Sequence, residues 1–291
     1  MSDTGPDSGR PAAAGTHIAV CWKWVDLEGD VRRAGVSAAD KAALETALEI
    51  AASLDSGADE HAAPAEVVVV ALGPPGADTV LREAVAAGAH RAVRVDGSTD
   101  LPSDRVAAAL AGVLRGSDFV VCGDYSPDRG SGSVPAFLAG ELGAAQALGL
   151  IQLAVDGRLT EHGAPAVRAL RRLDGGRREQ LTVTAPAVLS VEGSVATLRR
   201  APLPAQLAAK QAVIEVVDGP EADDQHAETV RPFRPRPRVV PAPEGDGALD
   251  RIRALTDAGA AVVHGETVTL EPPEAAARIV VALTEWGYLE P

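Results

Sequence analysis

The stretch from Phe119 to Gly143, FVVCGDYSPDRGSGSVPAFLAGELG, decides the fold. Its first four residues are apolar and predict the end of a buried strand, while the apolar side chains from Val134 onward have helical spacing. The turn between them, Gly123 to Ser133, is rich in glycine and serine. A strand, a glycine-rich turn and a helix start are the parts with which α/β proteins bind a phosphate. An ordinary strand-to-helix turn has the same local pattern, so both interpretations stay open here.

The chain before this stretch alternates strands with helices. Apolar runs predict strands at His17–Trp24, Glu66–Leu72 and Arg91–Val95, and helical spacing predicts helices from Ser37 to Leu54, from Asp78 to Ala87 and from Ser103 to Leu114. Either Ser37 or Asp40 is suited to cap the first of these helices. This alternation predicts an α/β protein with a doubly wound, mostly parallel sheet and right-handed crossovers.

The alternation of predicted strands and helices ends after Gly149. Short strands are predicted at Leu150–Val155, Ala166–Leu173, Gln180–Val183 and Ala187–Val191. Hairpin turns are predicted at Asp156-Gly157 and at Asp174-Gly175-Gly176, so we expect antiparallel strands to be added to the sheet. A leucine between two prolines, Leu203, then precedes a short helical segment.

The C-terminal part predicts an extended arm followed by helices. Residues 216–245 are polar and rich in proline, and their arginines suit either a solvated linker or docking on an acidic partner. Helices are expected at Ala248–Ala258 and Pro273–Trp286 around a strand at Thr267–Leu270. We therefore expect four regions: a disordered tail at 1–15, a nucleotide-binding domain at 16–217, a linker arm at 218–246, and a helical segment at 247–291 that packs on a partner.

Composition narrows the class of protein. The net charge of −14 argues against nucleic acid as a partner. No apolar stretch is long enough for membrane insertion, and the first fifteen residues do not resemble a signal peptide, so a cytoplasmic protein is expected. Cys21 and Cys122 lie in apolar runs and are expected to be small core residues.

Motifs that carry catalysis are missing from the sequence. The six histidines lack ligand spacing and there is no Cys-x-x-Cys pair, so no metal site is predicted. The chain also lacks a nucleophile elbow, a Walker A lysine and a Gly-x-Gly-x-x-Gly turn. No catalytic residue is therefore nominated.

Several blocks in the same order resemble the β subunit of electron transfer flavoproteins, over roughly Thr16 to Val216. The first strand and Lys23 resemble the family's Val-Lys-x-Val, and Leu81 to Ala92, LREAVAAGAHRA, is similar to its LRxALAxGADRA helix. Gly123 to Ser133 aligns without gaps with Gly-(Lys/Arg)-Gln-Ala-Ile-Asp-x-Asp-(Thr/Cys/Ser)-x-Gln. The segment APLP, which contains Leu203, resembles the family's recognition loop.

The resemblance implies an adenine nucleotide α-hydrolase-like fold and a heterodimer with an α subunit that holds most of a redox FAD. It also implies that the β subunit binds AMP structurally and passes electrons from flavin-dependent dehydrogenases towards the respiratory chain. Leu203 would dock on the dehydrogenase, although a core leucine is the alternative. The residues carried over to AMP binding are Cys21, Ser37, Ala38, Ala39, Asp40, Leu72, Asp128, Gly130, Ser131, Gly132, Ser133 and Val134.

The sequence also departs from the family pattern. Tyr125 and Ser133 replace glutamines of the glycine loop, and Gly130 replaces an aspartate. Smaller side chains leave room for a larger nucleotide, so a second FAD of the electron-bifurcating type is an alternative to AMP. A nucleotide-binding enzyme or module of the same fold is a further alternative. The long tail and the composition resemble the actinobacterial type associated with mycofactocin.

Overall fold

Nine strands within the described residues form one sheet, in the order β7-β6-β5-β8-β4-β1-β2-β3-β9. The computed structural model describes residues 15–26, 34–57, 63–156, 164–219, 247–256 and 268–289. The strands are β1 (His17–Trp22), β2 (Glu66–Gly73), β3 (Arg91–Asp96), β4 (Phe119–Gly123), β5 (Ala145–Asp156), β6 (Ala166–Arg172), β7 (Arg178–Thr184), β8 (Ala187–Val191) and β9 (Glu215–Val217). The helices are α1 (Ala38–Ser56), α2 (Asp78–Ala87), α3 (Ser103–Leu114), α4 (Val134–Leu142), α5 (Leu203–Ala209), α6 (Ala248–Thr256) and α7 (Pro272–Glu285).

The central strands are parallel, which confirms the predicted fold class. β1 pairs with β2 on one side and with β4 on the other, and β3 extends the sheet from β2. The helices cover both faces. α1 and α2 belong to one buried apolar cluster, and α3 and α4 belong to a second.

Alternation along each strand separates the two clusters. Val20 of β1 and Val121 of β4 contribute to the first cluster, whereas their neighbours Cys21 and Cys122 contribute to the second. Fully burying one large aliphatic or aromatic side chain contributes about 1.5–3 kcal/mol. Such burial on both faces explains why the strands are nearly continuous apolar runs.

Fewer antiparallel strands are added to the sheet than the sequence predicts. β5, β6 and β7 pair antiparallel, with Gly175 and Gly176 at positive φ in the turn between β6 and β7. β8 was expected among these strands, but it lies between β4 and β5 and is parallel to both. All five of its residues are buried, which is the pattern of an interior parallel strand. The turn at Asp156-Gly157 extends beyond the described residues.

Some predicted boundaries are wrong. β1 ends at Trp22, two residues before its predicted end, and β5 begins at Ala145, five residues before Leu150. Ala145 to Ala147 pair with β8, and the register shifts before Leu150, where Gly149 has φ of +66°. This long-range pairing extends β5 backward through residues that are not apolar enough to predict a strand. β9, at the edge beside β3, was not predicted.

The C-terminal residues form a unit of their own. The chain divides into the units Met1–Ala227 and Glu228–Pro291. In the second unit α6 and α7 are present as predicted, but residues 268–270 are not a strand. The predicted tail up to residue 14 and the arm at 220–246 lie outside the described residues, and the four-region division stays a prediction. No helix among the described residues is long and apolar enough to cross a membrane.

Candidate functional site

A cleft opens at the carboxyl ends of β1, β2 and β4, where ligands bind in doubly wound sheets. Its walls come from the end of β1, the start of α1, the segment from Thr99 into α3, and the glycine-rich turn before α4. The lining residues are Cys21, Trp22, Lys23, Asp40, Leu72, Thr99, Leu101, Ser103, Val106, Leu110, Cys122, Gly123, Tyr125, Ser126, Arg129, Ser131, Gly132, Ser133, Val134 and Pro135.

The structure brings most of the predicted site residues to this cleft. Those that line it are Cys21, Asp40, Leu72, Ser131, Gly132, Ser133 and Val134. Asp128 and Gly130 belong to the same turn without lining the cleft, and Ser37, Ala38 and Ala39 form the start of α1 behind Asp40. Their part in binding a nucleotide stays a prediction.

Ser37 and Asp40 shape the start of α1 together. Ser37 is the N-cap, and its Oγ accepts a hydrogen bond from the backbone N–H of Asp40 at 2.9 Å. The Asp40 carboxylate in turn accepts from the Lys23 backbone N–H at 3.4 Å. The indole Nε1 of Trp22 donates to the Asp40 carbonyl at 2.6 Å. These bonds fix the helix start against the end of β1, so Asp40 has a defined place in the cleft.

Burial gives Asp40 an unusual charge state. Loss of hydration raises the pKa of Asp40 to about 7, although hydrogen bonds from Ser37 and Lys23 act in the opposite direction. Near neutral pH this carboxyl group therefore exchanges between an acceptor and a donor of hydrogen bonds. Such a perturbed group in a cleft is a marker of a functional site.

Two glycines allow the close approaches on which the cleft depends. A Cβ on Gly123 would lie 2.7 Å from Asp40 Oδ1 and 2.8 Å from the Asp40 backbone nitrogen, so β4 and α1 meet only because that atom is missing. Gly132 has φ of +59°, and a Cβ there would lie 2.5 Å from the Asp124 carbonyl oxygen. The turn is thus tightly folded, with its backbone accessible at Gly132.

The turn also carries a charged pair. Lys23 Nζ donates to Asp128 Oδ2 at 2.5 Å, which joins the end of β1 to the glycine-rich turn. Burial by itself would raise the pKa of Asp128, but hydrogen bonds from Lys23, Ser126 and the Arg129 backbone outweigh it and lower that pKa. Asp128 therefore remains ionised and neutralises Lys23 at neutral pH.

The two cysteines are neighbours on the floor of the cleft. Cys21 and Cys122 are register partners in the β1–β4 pair, and both are buried free thiols. A hydrogen bond with Cys21 and burial both raise the pKa of the Cys122 thiol. This agrees with the expectation of small core residues, and it adds that both line the cleft.

Several lining residues were not nominated from the sequence. An apolar wall of the cleft is formed by Thr99 and Leu101, which precede α3, and by Val106 and Leu110 of α3. The helical spacing of Val106 and Leu110 predicts only a buried face of the helix, and Thr99 and Leu101 precede that helix, so the sequence does not predict that these residues border the cleft. Lys23 carried a usable signal, since it directly follows the first strand. Among the described residues no group of three or more His, Cys, Asp or Glu side chains is arranged to hold a metal.

Leu203 lies away from the cleft, at the first position of α5, and 66% of its surface is exposed. Leu207, one turn later on the same helix, is also exposed. The alternative of a core leucine is therefore wrong, and α5 presents two apolar side chains to solvent.

Comparison with known proteins finds one family. Residues 30–222 match the family described as the electron transfer flavoprotein domain. Electron transfer flavoprotein subunit beta of Mycobacterium tuberculosis is 29% identical over 167 residues, which are 54% of this chain and 60% of the relative. The subunit beta of Methylophilus methylotrophus is 29% identical over 172 residues, 58% of this chain and 61% of the relative. Protein FixA of Azorhizobium caulinodans is 28% identical over 230 residues, 71% of this chain and 76% of the relative. The chain thus spans about three fifths of the length of the two subunit beta relatives.

Proposed function

The chain belongs to the electron transfer flavoprotein family, in its β-subunit type, and from this membership we propose that it pairs with an α subunit as an electron carrier. In this role it catalyses no bond chemistry of its own. A FAD shared with the α subunit supplies the redox chemistry. Electrons arrive from a flavin-dependent dehydrogenase and leave towards the respiratory chain, in the cytoplasm.

We further propose that the cleft binds AMP as a structural nucleotide. The observation that carries this proposal is the glycine-rich turn itself, which ends at the N-terminus of α4 beside the carboxyl ends of β1 and β4. The backbone N–H groups of Gly132 and Ser133 and the hydroxyls of Ser131 and Ser133 suit a phosphate. The apolar side chains of Leu72, Val106 and Leu110 suit the face of a base.

A second FAD is the other candidate for the same cleft. It is favoured by the small residue Ser133, which lines the cleft where the family pattern has a glutamine, and by the apolar wall, which runs from Leu101 before α3 to Leu110 on α3. Both nucleotides share an adenosine phosphate portion, so the same turn serves either. The difference lies in how many flavins the heterodimer holds.

The test is to purify the chain with its α subunit and identify the nucleotides that heat releases. We expect a yellow complex that releases one FAD and one AMP per heterodimer, measured by absorbance and mass spectrometry. Two flavins per heterodimer would overturn the AMP assignment and leave the carrier role intact. A colourless protein that does not associate with an α subunit would overturn the carrier role.

Leu203 and Leu207 of α5 are proposed to dock on the dehydrogenase, because apolar side chains this exposed are suited to a partner's pocket. Leu203→Ala should slow reduction of the complex by its dehydrogenase about 5- to 30-fold, with unchanged FAD content, since truncating a side chain that anchors an interface costs about 1–2 kcal/mol. Phe137→Ala is the matched control, because Phe137 is also exposed and apolar but lies on a different helix, α4. Equal rates for Leu203→Ala and wild type would contradict this role.

A further inference from the structure

Arg129 links two walls of the cleft. Its Nη1 donates to the Leu101 carbonyl at 2.9 Å and its Nη2 donates to the Asp100 carbonyl at 2.7 Å. These acceptors lie between β3 and α3, 28 and 29 residues before the arginine. The side chain therefore connects the glycine-rich turn with the segment that leads into the apolar wall.

Among the described residues, Arg129 has no carboxylate counter-ion. Both acceptors are backbone carbonyls, and no carboxylate of the described residues forms an ion pair with Arg129. Lys23, the other lysine or arginine on the lining, is paired with Asp128 at 2.5 Å. In a chain with a net charge of −14, Arg129 thus brings to the cleft a positive charge that no described carboxylate offsets, where it can attract an anionic ligand.

The guanidinium also has donors left. It carries five N–H groups in a fixed fork, of which the two carbonyls use two. A guanidinium with unpaired N–H groups matches a phosphate in charge and in shape. Arg129 occupies a position that the family pattern leaves variable, next to Gly130, where that pattern has an aspartate.

We propose that Arg129 determines the specificity of this cleft, clasping its two walls and supplying the positive charge that selects a phosphorylated nucleotide over the bare nucleoside. This inference rests on the proposed nucleotide-binding function. The clasp slows release of the nucleotide, and the charge favours the phosphate. The two contributions are separable, because lysine keeps the charge but cannot form the two-pronged clasp.

The experiment compares Arg129→Met and Arg129→Lys with wild type in the heterodimer after its bound nucleotide has been removed. The probes are AMP and adenosine, measured by titration calorimetry and by stopped-flow dissociation. Arg129→Met should weaken the binding of AMP about 10- to 100-fold, which is about 1.4–2.7 kcal/mol, because a charge-assisted hydrogen bond is lost. It should weaken the binding of adenosine less than about threefold. Arg129→Lys should keep most of the preference for AMP while releasing AMP faster.

Arg115→Met is the matched control, because this exposed arginine follows α3 and does not line the cleft. It should bind both probes as wild type does. If wild type binds AMP and Arg129→Met binds it equally well, the inference is overturned and the proposed function stands. If wild type binds neither probe, the nucleotide-binding function and the inference fall together.

Discussion

At the scale of single residues, Asp40 makes stability depend on pH. Its pKa is raised from an ordinary 3.8 to about 7 by burial, so the folded chain holds a proton there that the unfolded chain releases. Stability from this group is therefore highest below about pH 4 and falls as the pH rises to about 7. The slope is about 1.4 kcal/mol for each pH unit within that window.

Asp40→Asn should remove this dependence. The amide can still accept from the Lys23 backbone N–H, and it carries no charge to desolvate. The other titratable groups facing Asp40 are Lys23 and the Cys122 thiol, and both remain in the variant. In urea unfolding at pH 5, 6 and 7, the free energy of unfolding of the variant should rise relative to that of wild type by about 1 kcal/mol per pH unit. A difference that stays constant with pH would show that Asp40 is ionised throughout.

Gly123 tests whether the approach of β4 to α1 shapes the cleft. In Gly123→Ala the new Cβ would overlap the carboxylate and backbone nitrogen of Asp40, so the start of α1 must move. We expect a loss of about 1–3 kcal/mol in the free energy of unfolding, and weaker AMP binding.

Gly140→Ala is the matched control for this prediction. Gly140 lies inside α4, and an added Cβ meets no atom within 4 Å. Alanine there should stabilise the chain by up to about 1 kcal/mol and leave AMP binding unchanged. If both variants bind AMP as wild type does, the contact between Gly123 and Asp40 does not shape the site.

How far the sequence predicts the cleft depends on the kind of residue. Cys21 and Leu72 are predictable, because they lie near the carboxyl ends of strands and such ends border a ligand crevice. Arg129 is not, because its role depends on carbonyls that the fold brings from 28 and 29 residues away. The pKa of Asp40 is hidden for the same reason, since the packing that buries this residue comes from separate elements.

At the scale of elements, one ion pair fastens the segment before α5 to α1. Glu45 of α1 accepts hydrogen bonds from the Arg199 backbone N–H at 2.9 Å, from Nη2 at 2.8 Å and from Nε at 3.0 and 3.1 Å. Burial alone would raise the pKa of Glu45, but the bonds from Arg199 outweigh it and lower that pKa. The pair therefore fixes the chain four residues before Leu203.

Arg199→Met should destabilise the chain by about 2–4 kcal/mol, because it leaves the buried Glu45 carboxylate without its cation. Glu45→Gln should lower the free energy of unfolding by less than Arg199→Met does. The double variant should lower it by less than the sum of the two single variants. Arg200→Met, at the exposed neighbouring arginine, should change stability by about 0.5 kcal/mol or less. Additive effects in the double-mutant cycle, measured by urea unfolding, would show that the pair is not coupled.

The order of strands and helices can be predicted from the sequence because the signals for each element are local. The helices at Asp78–Ala87 and Ser103–Leu114 have the bounds that glycine ends and helical spacing predict. The position of β8 in the sheet cannot be predicted in this way, since its five buried residues fit an interior parallel strand as well as a hairpin strand. Which strands it pairs with depends on contacts with β4 and β5, residues distant in sequence.

At the scale of the whole molecule, the two units differ in how the described residues bury apolar side chains. Both buried apolar clusters lie entirely within the unit Met1–Ala227. In the unit Glu228–Pro291, the side chains of Ile279, Val280 and Val281 on α7 are exposed. A helix that leaves three consecutive large apolar residues exposed is suited to burial against another protein. We therefore propose that the second unit holds the α subunit.

Removing residues 228–291 should leave the first unit folded and weaken the heterodimer. Because both core clusters remain intact, we expect the unfolding midpoint of residues 1–227 and their AMP affinity to match those of the full chain. The affinity for the α subunit should fall at least tenfold, about 1.4 kcal/mol, measured by titration calorimetry. In the full-length chain, Ile279→Gln should weaken the heterodimer in the same direction, while Arg115→Met should leave it unchanged. A truncated chain that binds the α subunit as tightly as the full one would show that the second unit has another role.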